Sequence, residues 1–524
     1  MPDEVILYDT TLRDGSQTEG VCFSTEDKLE ILQRLDEFGI HFVEGGWPSS
    51  NPKDDEFFSR ARSIPLKNAR LVAFGSTRRA HVAATEDAGL KALLECGTDA
   101  VCLFGKSWDL HVEKALQVSQ EENLAMIEES VAYLTDAGKE VIFDAEHFFD
   151  GYKENPSYAM ECLLAAVKGG ATWLVLCDTN GGSLPDFVQT AVRHVRDSCQ
   201  VPVGVHCHND SELAVACSLA AVSAGARMVQ GTINGLGERC GNANLCSMIP
   251  ILMLKMGFPS ERIDLRRLTP LSIFVGEMAN VRPHGNLPFV GERAFAHKAG
   301  VHVSAMSRDT RTYEHISPET VGNRRRILIS DLAGTSSILE KVKEFGIDAG
   351  KESGKDILNR IKSLEAQGYQ FDGAEASFEL LVRRFRDNIK PPFGVSGFRL
   401  YIDSIGNDRI TSEASVKVVD RMGAMEHTAA EGEGPVNALD KALRKALARF
   451  YPLLNNVRLT DYKVRVLDEK AATAAKVRVL IRSTDGKQSW TTVGVSENII
   501  EASLLALVDS MEYILLKEEL NGSS

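Results

Sequence analysis

Two histidines with one residue between them, His206-Cys207-His208, close a short apolar run and are followed by Asn209-Asp210. On an extended strand, residues two apart project from the same face, so both imidazoles point one way and Cys207 the other. Two imidazoles joined by a carboxylate from another strand make a divalent metal site of mixed nitrogen and oxygen character. A carboxylate stands in Asp9-Thr10-Thr11-Leu12-Arg13-Asp14-Gly15-Ser16-Gln17, where Asp14 follows Arg13 in a glycine-containing turn. An isolated histidine is usually a hydrogen-bonded core residue, whereas this spacing at a strand end reads as a ligand pair. Beside a metal, Arg13 can hold an oxyanion while negative charge develops on it. The plainer alternative for Arg13 is a structural ion pair with a neighbouring carboxylate.

Other chemistry-bearing residues also fall where short apolar runs end. They are Glu44, then Asp144 and Glu146, then Asp178-Thr179-Asn180, and finally Asn234-Gly235-Leu236-Gly237-Glu238-Arg239-Cys240-Gly241-Asn242. The runs themselves span 5–9, 42–46, 70–75, 100–105, 140–148, 172–179, 202–209 and 228–235. They are β-branched or otherwise apolar and short, as strands buried on both faces are. Amphipathic stretches separate them, at 25–38, 84–96, 120–138, 156–169, 184–198, 212–225 and 243–257, with a weaker one at 52–63. Ser24 is placed to cap the first helix and Gly39 to end it. Eight strands alternating with helices predict a (β/α)8 TIM barrel over residues 1–265, with its chemistry at the C-terminal strand ends. A doubly wound open sheet is the alternative, but no G-x-G-x-x-G follows the first strand.

The whole chain has 524 residues, 44% hydrophobic and 25% charged, with a formal charge of -14. That charge argues against a nucleic-acid partner and against docking on an anionic membrane. No apolar run is long enough to span a bilayer, and the acidic start is unlike a secretory signal, so a cytoplasmic protein is expected. The ten cysteines show no C-x-x-C pair and mostly sit in apolar runs, as buried thiols do. Residues 266–393 lose the barrel rhythm and read as linker subdomains covering the active site; Arg324-Arg325-Arg326 within them reads as a solvated or interface feature. From 394 to 524 a weak repeat emerges, two strands and a helix given twice, with Asn437-Ala438-Leu439 and Ala442-Leu443 matching Glu501-Ala502-Ser503 and Ala506-Leu507. The fold expected is therefore α/β, with a C-terminal α+β domain of two ββα units. Paired helix N-termini there could bind an amino-acid carboxylate, or the module could serve dimer packing; the two are compatible.

The motifs at 9–17, 206–210 and 235–242 resemble the signatures of the 2-isopropylmalate, citramalate and homocitrate synthases, in order and over essentially the whole chain. Ser16 departs from the glutamate of many members, and Asp144-Ala145-Glu146-His147 stands where many have Glu-Asp. The resemblance implies Asp14, His206, His208 and Asn242 as ligands of a divalent metal (Mg, Mn or Zn), with acetyl-CoA as co-substrate. It also implies Arg13 and Glu146 as catalytic residues, and Gln17, Glu44, Thr179 and Arg13 as contacts to a 2-oxo acid. His297-Lys298-Ala299-Gly300-Val301-His302 resembles a segment whose last histidine enters the partner subunit's active site, so a homodimer is expected. Tyr313 belongs with His302, and His302 is the expected base. The C-terminal part resembles the allosteric domain of these synthases.

Phe148-Phe149-Asp150-Gly151-Tyr152-Lys153 and Asp178-Thr179-Asn180-Gly181-Gly182 resemble the citramalate branch, which implies pyruvate as substrate, a place in isoleucine biosynthesis and isoleucine as effector. The alternative is a 2-isopropylmalate synthase acting on 2-oxoisovalerate. An acyl-CoA lyase shares the ligands but usually lacks the C-terminal module. A biotin-dependent carboxylase domain needs a strand-end lysine, and none stands in the terminal motifs as read above. A non-catalytic amino-acid sensor is the alternative of a different class, opposed by the completeness of the Arg13, Asp14, His206, His208 and Asn242 set.

Overall fold

The computed structural model describes residues 4–298, 300–328, 334–347, 350–386, 389–405, 409–467 and 475–522. Two compact units result, one of residues 1–295 with 316–324, the other of 296–315 with 325–524. In the first unit, eight parallel strands close into a barrel. They are β1 (Ile6–Asp9), β2 (Phe42–Gly46), β3 (Arg70–Ser76), β4 (Ala100–Lys106), β5 (Glu140–Glu146), β6 (Trp173–Asp178), β7 (Val203–Cys207) and β8 (Met228–Gly231). β1 pairs with both β2 and β8, which closes the ring.

Alternation along the strands divides the core in two. One set of side chains fills the lumen, among them Tyr8, Phe42, Val72, Phe74, Cys102, Ile142, Val175 and Met228. The opposite set, including Val43, Val101, Phe143, Leu174, Val205 and Val229, packs against the helices. By this parity Glu44, Asp144, Glu146, His206 and Gln230 share the lumen face of their strands. Such polar residues near the strand ends turn the upper lumen into a site.

Five strands are shorter than the sequence suggests, most plainly β5 and β8. His147 adopts a left-handed backbone (φ 57°), which stops β5 and starts the helix Phe148–Glu154. After Gly231 the chain turns into a 3-10 segment, Ile233–Gly235. β4, by contrast, runs past Gly105 to Lys106, so a lysine does stand at a strand end, contrary to expectation. Its register partner across β5 is Glu146, and its ammonium is paired to that carboxylate rather than free.

The second unit carries β9 (Ala296–His297) beside β10 (Arg326–Ile327), three helices between 335 and 386, and two antiparallel sheets. The arginine run is not a solvated feature at its last two positions. Arg325 is ion-paired to buried Glu314, and Arg326 lies 3.6 Å from Glu375. The sheets are β11 (Phe393–Ile405), β12 (Arg409–Asp420) and β13 (Met425–Gly432), then β14 (Arg458–Val466), β15 (Val477–Thr484) and β16 (Ser489–Ser496). Helices Pro435–Leu447 and Ile499–Gly522 follow them. The repeat is thus βββα, with one strand more per unit than expected. The leading strands escape a periodicity reading because they are edges whose residues (Gly397, Phe398, Arg399, Tyr401) are largely exposed. Equivalent hydrogen bonds mark the repeat: the Thr428 hydroxyl donates to the Ala442 carbonyl and Thr492 to Ala506, each spanning 14 residues. Among the described residues no helix is long and apolar enough to cross a membrane. All ten cysteines are free, and all but Cys22 and Cys240 are buried.

Helix Thr25–Phe38 shows how local sequence sets these bounds. Ser24 and Asp27 cap each other reciprocally, and Gly39 ends the helix at φ 103°, where an added Cβ would lie 2.5 Å from the Arg262 carbonyl. Ser24→Ala should loosen this helix by about 1 kcal/mol, read as roughly fivefold faster amide exchange along it. Unchanged exchange would contradict the cap's role.

Candidate active site

β7 delivers His206, and His208 follows it with the same parity, both nearly fully buried. Asp14 comes from the turn after β1, and its Oδ2 lies 3.2 Å from His206 Nε2 and 4.0 Å from His208 Nε2. The two Nε2 atoms are 3.4 Å apart. A point equidistant from these three corners is about 2.1 Å from each, the length of a metal bond to nitrogen or oxygen. Among the described residues this is the one group of three with ligand atoms so placed. Among the described residues, Asp14 Oδ2, His208 Nδ1 and both polar atoms of the Asn242 side chain are buried without a hydrogen-bond partner. A buried polar atom left unpaired costs roughly 1–3 kcal/mol, and a cation held by these residues would satisfy Asp14 Oδ2 and Asn242 Oδ1.

Asn242 is placed by backbone pairing. It forms a bridge with His208, the Asn209 amide donates to the Gly241 carbonyl, and the Ala243 amide to that of Cys207. Gly241 (φ 87°) is obligatory here, since a Cβ would fall 2.0 Å from the Gly235 carbonyl. Arg239 binds the loops together: its guanidinium donates to both Asp210 oxygens (2.8 and 2.9 Å) and to the Thr179 carbonyl (2.7 Å).

Charge is unevenly shared in this space. Burial works against the Asp14 carboxylate, yet Arg13 and His206 hold it well below the usual range. Burial alone would lower His206, but Asp14 outweighs it and the net shift is upward. His208, desolvated and beside His206, is pushed down to about 3 and is neutral near pH 7, as a ligand must be.

Arg13 lies over the Phe74 ring, 3.9 Å from its centroid, and its Nε donates to Glu44. Nη1 is 3.7 Å from Asp14 Oδ1, and neither terminal nitrogen makes a hydrogen bond among the described residues. Glu44 is fully buried and its other oxygen accepts from the Tyr8 hydroxyl at 2.6 Å, so what it does for a ligand it does through Arg13. The Thr179 hydroxyl accepts the His147 amide at 2.9 Å, which leaves its proton free to donate. Glu146 ends β5 in its pair with Lys106. Gln17 closes the turn Gly15–Gln17 and is exposed. In the second unit, the His302 ring stacks on Tyr313 at 4.1 Å. Sequence reasoning missed Tyr8, Phe74, Lys106 and Gln230; their lumen parity was the available signal.

The profile described as HMGL-like matches residues 4–275, the one for a homocitrate synthase post-HMGL domain matches 289–369, and that of the LeuA allosteric (dimerisation) domain matches 373–515. The chain belongs to the HMGL-like family. An (R)-citramalate synthase from Aquifex aeolicus (strain VF5) is 56% identical over 529 residues, covering 100% of both chains. Another from Geobacter sulfurreducens is 54% identical over 99% of each. A 2-isopropylmalate synthase from Methanocaldococcus jannaschii is 32% identical over 99% of this chain and 96% of its own. These matches run the length of the chain, so they cover the HxH pair, the Arg13-Asp14 turn and the glycine-rich loop alike.

His208→Ala removes one corner of the triangle without touching the lumen core. The variant should lose Mn2+ affinity by at least about 100-fold while keeping a native circular dichroism spectrum. Unaltered Mn2+ binding by titration calorimetry would remove His208 from the ligand set.

Proposed function

We propose that this protein joins the acetyl group of acetyl-CoA to pyruvate, releasing citramalate and CoA. The observation that carries this reading is identity above 50% over the full length to proteins named (R)-citramalate synthase, with the candidate ligand triangle intact.

Asp14, His206 and His208, with Asn242, would hold a divalent cation (Mg, Mn or Zn). When bound, that cation supplies Lewis acidity to the keto group of the oxo acid. The residues around it do the rest. Arg13, already fixed by Glu44 and Phe74, presents its terminal nitrogens to the oxygen on which charge builds, with little reorganisation. The Thr179 hydroxyl donates to the substrate carboxylate. Glu146, paired with Lys106, serves as a catalytic residue, and Gln17 and Glu44 belong to the oxo-acid site. A base takes a proton from the acetyl methyl group, the resulting carbon attacks the keto carbon, and the keto oxygen becomes a hydroxyl. Water then cleaves the thioester, releasing CoA and making the condensation irreversible. His302, with Tyr313 stacked on it, is assigned as the base and acts across a homodimer.

Residues 266–393 serve as linker subdomains and 394–524 as the regulatory and dimerisation domain, in keeping with the LeuA match. Isoleucine is the effector, the protein works in isoleucine biosynthesis, and it is cytoplasmic. The rings of Trp47, Phe74 and Phe104 pack together at the ends of β2, β3 and β4 and crowd the lumen beside Arg13. That crowding supports the methyl group of pyruvate over the isopropyl group of 2-oxoisovalerate.

Thiol release from acetyl-CoA, run with a panel of oxo acids, should give a kcat/KM for pyruvate at least about tenfold above that for 2-oxoisovalerate, and isoleucine should inhibit it more than leucine or valine. A preference for 2-oxoisovalerate with leucine inhibition would make this a 2-isopropylmalate synthase. No thiol release with any of the oxo acids would leave a non-catalytic sensor.

A further inference from the structure

Gln230 sits on β8, wholly buried, with its side chain reaching across two strands. Its Nε2 donates to Asp144 Oδ1 on β5 at 3.0 Å. Its Oε1 lies 2.8 Å from His206 Nδ1 on β7. An ionised carboxylate can only accept, so Asp144 turns the NH2 end of the amide toward itself. The amide oxygen is then left for His206, and an oxygen facing a ring nitrogen requires a proton on that nitrogen. A neutral imidazole has one N–H, so with Nδ1 protonated the lone pair is at Nε2. That is the atom 3.2 Å from Asp14 and 3.4 Å from His208. Reversing the amide would set oxygen against carboxylate, which nothing at this position compensates.

We propose that Gln230, oriented by Asp144, is a positioning residue that holds His206 in the tautomer presenting Nε2 to the cation. The inference rests on the metal reading above and assigns a role to a residue in no motif of the chain. It also makes the two histidines unequal. His206 is preset by the chain Asp144–Gln230–His206, whereas His208 Nδ1 is buried without a partner among the described residues, none of which selects its tautomer. His206 is accordingly the ligand ready before the ion arrives. A supporting partner behind a metal histidine fixes its ring and raises its basicity, and loss of such a partner weakens metal binding about 10–100-fold.

The rival role for Gln230 is simple filling of the lumen, and metal affinity separates the two. Full-length protein, stripped of metal, is titrated with Mn2+ by calorimetry as native, Gln230→Met and Gln230→Glu forms. Methionine fills the same space without hydrogen bonds, while glutamate keeps an oxygen for His206 and can share a proton with Asp144. The expected order is native and Gln230→Glu within about threefold of each other, and Gln230→Met weaker by about 10–100-fold. Native affinity in Gln230→Met overturns the proposal, as does equal loss in both variants. Should Gln230→Met fail to fold, Gln230→Asn, which withdraws the amide by one methylene, takes its place: about tenfold loss is expected, and native affinity overturns. Native protein that takes up no Mn2+ would sink the metal reading itself, and this inference with it.

Discussion

Charge balance inside the barrel is the constraint on which the rest of this structure depends. Asp9, Asp14, Glu44 and Asp144 are all buried at or near the upper end of the lumen, with Arg13 as the guanidinium among them. Each uncompensated buried ion costs several kcal/mol, so every carboxylate must find a partner or change its protonation. Glu44 takes Arg13 and Tyr8, Asp9 takes the Thr11 amide and hydroxyl, and Asp144 takes Gln230. Burial nevertheless pushes Asp9 up to about 7 and Asp144 to about 6. Asp14 is kept ionised and left with an unpartnered oxygen facing two imidazoles. A divalent cation would remove that deficit, and the loops after β6, β7 and β8 are tied together around this candidate site.

Much of this was legible in the sequence because period-two parity carries it. His206 and His208 share a face whatever the exact strand bounds, and Asp14 and Asn242 lie in turns whose glycines announce sharp bends. The barrel rhythm survives errors of a few residues at β5 and β8, since strand count and order fix the fold. What was not legible were partners that depend on neighbouring strands. Gln230 stands in the apolar run Met228–Gly231, and one polar residue there draws no attention until β5 and β7 are alongside. Lys106 lay one residue beyond the expected end of its strand, and register with Glu146 drew it in. Extending the parity rule to polar positions inside apolar runs would have flagged Gln230 and Tyr8 alongside Glu44.

The second unit shows the opposite balance of local and distant signals. Its repeat was readable in the helices, where Ala438, Leu439, Ala442 and Leu443 and their counterparts Ala502, Ala506 and Leu507 are buried. It was less readable in the strands, because successive residues of the leading strands β11 and β14 are mostly exposed or half-exposed and so show little apolar alternation. His302 and Tyr313 are eleven residues apart in sequence and stack in space, which gives the expected pairing of these rings a geometric basis.

The central claim is that Asp14, His206 and His208 hold a divalent ion to which the oxo acid binds. Pulsed electron paramagnetic resonance of the full-length protein loaded with Mn2+ tests it most directly, with and without 13C-labelled pyruvate. The account predicts nitrogen couplings from two imidazoles in the protein alone, and a 13C coupling when pyruvate is added. A bound Mn2+ without imidazole couplings, or pyruvate that binds without a 13C coupling, would contradict it.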